Sequence, residues 1–199
     1  MLTLLALMAQ TATLDADPYV AARTCAVATI RTIEGDDLGF VDNARFMFYT
    51  LHAARARPAG KPMLDRLGEV MTETLPEVAK ADAAGLIAQC EKRFPRPPRV
   101  TAANLPKNPV DRDIMCVAVL GLLQGSAQSV REDHPGDPWL DRVRTPMATI
   151  MARMTDEAMA RAGLGDDAAI GAAFERQIRA SLDLGDPLAV GRACGVEGG

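Results

Sequence analysis

Aromatic residues are scarce in this 199-residue chain: five Phe, two Tyr and one Trp make up 4% of it. The core must therefore be built mostly from Ala, Val, Leu, Ile and Met. Such a core suits helix-on-helix packing better than a sheet, where aromatic and β-branched side chains are favoured. Histidine occurs only twice, and the formal net charge is −4. There is no sustained basic stripe with interleaved aromatics, so the electrostatic footprint of a nucleic-acid binder is missing. Apart from the amino terminus, the longest apolar run, residues 114–123, is too short to span a bilayer, and no transmembrane helix is expected. Also missing are a Cys-x-x-Cys pair, a Gly-x-Ser-x-Gly elbow, a glycine-rich phosphate loop and a dinucleotide fingerprint. No cofactor and no metal is expected. Arginine outnumbers lysine 18 to 4 and alanine is abundant, a bias of GC-rich bacterial genomes.

The amino terminus speaks to compartment. Residues 2–9 form an apolar run of signal-peptide length, followed by a polar stretch from Gln10 to Asp17, with Ala9 or Ala12 placed to precede a cleavage site. No Lys or Arg precedes the run, and an ordinary first helix with a buried face would read the same way. Four cysteines, at positions 25, 90, 116 and 194, point in the direction of export. Their spacing suits neither thioredoxin-like chemistry nor common zinc knuckles. An even number, two per half, fits structural disulfides in an oxidising compartment, periplasmic or extracellular. The alternative is four buried reduced thiols in a cytoplasmic protein.

Proline placement gives the clearest structural signal. Asp17-Pro18, Asn108-Pro109, Asp137-Pro138, Thr145-Pro146 and Asp186-Pro187 each set a capping side chain before a proline, the pattern of a helix start. Gly35, Gly163 and Gly185 are placed to close helices. Between these marks apolar residues recur with helical period, as in Phe40, Ala44, Met47, Phe48 and Leu51. The pattern predicts helices near 18–34, 38–56, 62–75, 79–93, 109–125, 138–162 (broken or kinked at Pro146), 166–183 and 187–194.

The chain reads as all-α, in two pseudo-repeated four-helix halves. Cys25-Ala-Val-Ala-Thr-Ile resembles Cys116-Val-Ala-Val-Leu-Gly, and Phe40-Val-Asp-Asn-Ala-Arg45 resembles Trp139-Leu-Asp-Arg-Val-Arg144. A competing register pairs residues 62–66 with 138–142, but the first preserves the order of four helices and both cysteines. The organisation expected is a leader over 1–16, a first half over 17–94, a Pro-rich connector over 95–108 and a second half over 109–199. Residues 95–109 hold five prolines, the composition of a semi-rigid spacer. In an up-down-up-down bundle the start of the first helix lies near the end of the fourth. That selects Cys25–Cys90 and Cys116–Cys194 among the three possible pairings. Each closed loop is worth about 4 kcal/mol in the chain-entropy account.

Candidate chemistry is sparse. Arg45, Tyr49 and His52 share a helical face and form a candidate ligand-binding set for an anion; the bland reading is a solvated flank. His134 lies in a charged loop. Ser126, Ser129 and Ser181 sit in no nucleophile elbow, and Ser126 has no base nearby in sequence. Glu34, Asp36 and Asp37 cluster at a helix junction, and Asp111 and Asp113 at a helix start, where capping and macrodipole pairing account for them. Met147, Met151 and Met154, with Met159 nearby, form a face that suits either Cu(I) or, more simply, an adaptable core. Arg93 to Arg99 has the composition of a polyproline ligand, and a plain linker explains it as well. The function these observations favour is an exported, non-enzymatic helical protein that binds another envelope protein. The alternative is a small-molecule enzyme with a polar site between the halves, around Arg45, Tyr49 and His52.

Overall fold

A computed structural model describes residues 12–33, 38–58, 60–97 and 99–197. Within them the protein is all-helical. The first half holds α1 (Pro18–Arg31), α2 (Phe40–Ala56), α3 (Met63–Thr72) and α4 (Lys80–Arg93). The second holds α5 (Pro109–Asp133), α6 (Trp139–Met151), α7 (Asp156–Arg161), α8 (Asp167–Leu184) and α9 (Pro187–Ala193). A single 3-10 turn, Ala102–Asn104, lies between α4 and α5. The apolar run at residues 2–9, Gly35 and the acidic cluster Glu34, Asp36 and Asp37 lie outside the described residues.

Three of the five proline signals start helices as the chemistry requires. Asp17 accepts hydrogen bonds from the amides of Tyr19 and Val20, Asn108 from those of Val110 and Asp111, and Asp186 from that of Ala189. Each satisfies donors that the first helical turn leaves orphaned. Asp137 instead accepts from the amide of Trp139, and Pro138 stands at the cap position. Thr145-Pro146 is not a start. Pro146 sits inside α6, and the hydroxyl of Thr145 donates back to the Asp141 carbonyl. The missing amide of Pro146 costs one ladder bond, to the Arg142 carbonyl, and α6 carries on past it to Met151. The break comes four residues later, where Thr155 caps the new helix α7. The segment 138–162 is therefore two helices, and the second half has five.

Small side chains set how closely the first helices approach. Ala21, Ala22 and Ala26 of α1 meet Ala53 and Ala54 of α2, all buried, and α1 also packs on α4, and α2 on α3. Around this contact lie Phe48, Tyr49, Leu51, Met63, Leu67 and Phe94. Residues 12–16 run along α4. The Gln89 amide donates to the Ala12 carbonyl and accepts from the Leu14 amide, and Arg93 donates to the Ala16 carbonyl.

In the second half α6, α8 and α9 pack around α5. By length and composition α5 is apolar enough to cross a membrane, but more than half of that stretch is buried inside the protein. Met115, Val119, Leu120 and Leu123 are at most 1% exposed. The two cores run into each other through shared helices. Phe40 and Ala44 of α2 belong with the α5 core, and Ala118, Ile178 and Leu182 of the second half belong with the first. Phe40 stacks on Trp139 at 4.4 Å between ring centres. The connector is also docked, since Val100 and Leu105 are buried.

Two ion pairs fasten α8 across this junction: Arg55–Asp183 at 2.6 Å and Arg66–Glu175 at 3.3 Å. Arg66 is buried to 2% exposure and also donates to the Arg57 carbonyl at the end of α2. Removing a buried cation leaves its acceptors unmatched. Arg66→Ala is expected to lower stability by about 2–3 kcal/mol in urea unfolding, while Arg55→Ala, at an exposed pair, changes it by less than about 1 kcal/mol.

Candidate functional site

The cysteines pair as their positions in a bundle require. Cys25 bridges to Cys90 and Cys116 to Cys194, with Cα–Cα separations of 5.7 and 5.5 Å. Their surroundings differ. Cys25 and Cys90 are 0% exposed, whereas Cys116 is buried and Cys194 is partly exposed beside an open cleft.

Arg45, Tyr49 and His52 do fall on one side of α2, but that side looks into the protein. Tyr49 is fully buried against Phe48 and Phe94. Burial pushes its phenol above the usual range, and Arg96, Glu91, Arg45 and Asp186 are the charges that act on it. His52 lies between Phe48, edge-on at 4.6 Å between ring centres, and Phe94, tilted at 4.8 Å. Burial, helped by the Arg55 charge and opposed by Asp183, lowers its pKa to about 4. The Tyr49 hydroxyl, His52 Nε2 and Arg45 Nε have no hydrogen-bond partner among the described residues. The imidazole is thus neutral at pH 7, and among the described residues it has no carboxylate contact of the kind that orients a catalytic base.

The methionine face is divided. Met147 and Met154 pack against the α5 core, Met159 is buried in a satellite cluster, and Met151 is 53% exposed. Among the described residues no group of three or more His, Cys, Asp or Glu stands together as a metal site. Ser126 and Ser181 are buried, and the Ser181 hydroxyl donates to the Ile178 carbonyl. Asp111 reaches past its helix start to accept from Arg176 and Gln177 of α8.

A wide concavity lies elsewhere, between α5, α6 and the turn that follows α9, with a volume of about 900 Å³. Its α6 wall is one helical stripe: Arg142, Thr145, Pro146, Thr149, Ile150 and, two residues beyond the helix, Arg153. The α5 wall presents Arg112, Asp113 and Cys116, and Ala102 and Leu105 come from the connector. The third side is Ala193 to Gly195 with Glu197. Gly195 makes this side possible. It takes φ 107°, and its amide and that of Val196 bond back to the carbonyls of Arg192 and Gly191. This is the left-handed helix ending that glycine permits. It returns Val196 to the core and leaves Glu197 at the cleft. Gly163 closes α7 in the same way.

Both aspartates in the cleft are hydrogen-bonded by a guanidinium. Asp113 receives two hydrogen bonds from Arg153, at 2.8 and 3.3 Å, and Arg153 is raised by them. Asp141 receives two from Arg131, at 2.7 and 3.5 Å, which hold its carboxyl below the usual range. Arg142 lies over the Trp139 ring, 5.1 Å from its centre. Arg112, Arg142 and Glu197 make no ion pair among the described residues. None of the lining residues is His, Ser or a free thiol.

Sequence reasoning missed this cleft. Asp141, within the segment Trp139 to Arg144 that resembles residues 40–45, pairs with Arg131. The one readable signal was the polar stripe at positions 142, 145, 149 and 153. The chain matches no protein-family model, no curated protein and no solved structure.

Two outcomes follow from burial. His52 binds a proton in the unfolded chain near pH 6.5 but in the folded protein only near pH 4. Stability is therefore full above pH 6.5 and declines as pH falls toward 4. Between pH 7 and 4.5 the folded protein should lose roughly 2–3 kcal/mol more than His52→Phe loses over the same interval. Urea midpoints at the two pH values measure this difference. Under native conditions a phosphine reductant should open Cys116–Cys194 before Cys25–Cys90, because access controls exchange. Timed alkylation and peptide mass mapping would show labels at 116 and 194 first; equal rates at all four positions would contradict the difference in access.

Proposed function

We propose that this is a non-enzymatic binding protein of an oxidising extracytoplasmic compartment, periplasmic or secreted, and that it holds another envelope protein in the cleft between α5, α6 and the α9 turn. The observation that carries the reading is the cleft itself: about 900 Å³, with apolar and disulfide surface at its base and charged groups around it. Binding sites combine apolar lining with a few placed polar groups in this way. Its aspartates support binding over catalysis, because both carboxylates are already committed to guanidiniums, Asp113 to Arg153 and Asp141 to Arg131. Two disulfides are compatible with such a compartment. In each half the bridge joins the first helix to the last helix or its cap, which supports reading the halves as diverged copies of one unit.

The alternative is an enzyme acting around Arg45, Tyr49 and His52. In its favour stand the unpartnered hydroxyl of Tyr49 and Nε2 of His52 on neighbouring turns. Against it stands burial, since Tyr49 is 0% exposed and cannot touch a substrate in this conformation.

A photo-crosslinking residue at Thr149, exposed on the cleft wall, is expected to trap one partner in the host envelope. The same residue at Ala88, on the exposed side of α4, should not. The purified partner should then bind the purified chain, and Thr149→Trp, which fills the cleft, should weaken it at least tenfold. Identical crosslinks from both positions, or none from Thr149, would remove the cleft from consideration.

A further inference from the structure

The cleft holds more cation than its carboxylates absorb. Arg112, Arg142 and Arg153 line it, and Arg131 reaches Asp141 from outside the lining set. Against these four stand three carboxylates: Asp113, Asp141 and Glu197. Arg153 is taken by Asp113 and Arg131 by Asp141. Arg112 and Arg142 remain without an ion pair among the described residues, with Glu197 the one lining carboxylate in the same state. Arg142 is held in place by stacking on Trp139, so little side-chain freedom is lost when it pairs. A planar guanidinium suits a flat two-oxygen anion, which it can grip with two parallel hydrogen bonds. The surface beside these cations is apolar: Leu105, Pro146, Ile150 and the Cys116–Cys194 bridge.

We infer that the cleft recognises the C-terminal carboxylate of a partner polypeptide whose last side chain is apolar, an inference that rests on the binding role proposed above. Arg112 and Arg142 supply the cations, and the last side chain covers the apolar floor. Capture of a chain end by clustered donors is a recurrent way of reading a peptide. A chain end suits the cleft better than a free apolar acid because the cleft is open to solvent. The tail of a small acid would stay partly wet there, whereas the partner's preceding residues roof the site and exclude water.

The test uses the full chain with both disulfides intact. The probes are acetylated tetrapeptides with three random positions and a final Leu, Val or Phe, as free acids and as amides, with decanoate and decanol alongside. Binding is read by calorimetry and by fluorescence of Trp139, the single tryptophan of the chain. Free-acid peptides are expected to bind and their amides to bind at least tenfold more weakly. Arg112→Gln and Arg142→Gln should each cost roughly tenfold. Glu197→Gln, which removes an exposed negative charge, should tighten binding severalfold, a change no folding defect would imitate. Equal binding of acids and amides would overturn the carboxylate reading while leaving the cleft as a binding site. Binding of decanoate with no peptide selected would overturn the chain end as its source. If no probe binds, the inference fails, and crosslinking from Thr149 decides separately whether the cleft is used at all.

Discussion

The Cys116–Cys194 bridge is the constraint on which the second half depends. It fixes α9, only seven residues long, and an isolated helix of that length does not hold its shape in water. Once tied to α5, α9 places Leu188 and Val190 in the core. Gly191 lets it lie close: a Cβ there would stand 2.6 Å from Leu123 Cδ1. Past the bridge, the Gly195 turn sends Val196 inward and makes the third wall of the cleft. One covalent link thus positions a short helix, seals part of a core and shapes the concavity above it. In the chain-entropy account a loop closed over 78 residues is worth about 4–5 kcal/mol, which is a large share of the stability of a domain this size.

The other organising fact is that α2 serves both halves. Phe48, Tyr49 and Leu51 face one core, while Phe40 and Ala44, a turn or two earlier, face the other. A helix with small residues at many positions can do this, because it presents narrow apolar strips in several directions and not one broad face. The scarcity of aromatics has the same consequence. With few large side chains to fill gaps, close approach of helices through alanine replaces them, and α1 lies against α2 through such a strip. Four of the aromatics stand at joints: Phe40 on Trp139 between α2 and α6, and Phe48 and Phe94 around His52.

Much of the fold was legible in the sequence because its signals were local. Asp17, Asn108 and Asp186 cap as any such residue before a proline would, and the cysteine pairing followed from where helices of a bundle begin and end. Pro146 misled because a proline after a threonine carries the same local signal whether it starts a helix or sits inside one. What decides is the packing of Val143, Met147 and Ile150, which keeps α6 going. The candidate trio shows the complementary limit. The spacing of Arg45, Tyr49 and His52 tells that they share a side of α2. It does not tell which way that side faces, and Phe94, from the end of α4, closes it. The cleft was illegible for a further reason: it is assembled from α5, α6, the connector and the end of the chain, and its character depends on which charges are left over after pairing.

That remainder is the informative quantity in a cleft with as many carboxylates as lining arginines. Counted by residue type, the site is neutral and suggests nothing. Counted after hydrogen bonding, Asp113 and Asp141 are spent, and the guanidiniums of Arg112 and Arg142 are left with Glu197 as the single lining carboxylate to balance them. The paired aspartates also do structural work. Asp113 holds Arg153 at the point where α6 ends, and Asp141 ties the start of α6 to the end of α5 through Arg131. Each bond fixes one end of the α6 wall. A wall fixed at both ends, with cations left uncommitted, would need little reorganisation when an anion arrives, which is what the proposed binding role asks of it.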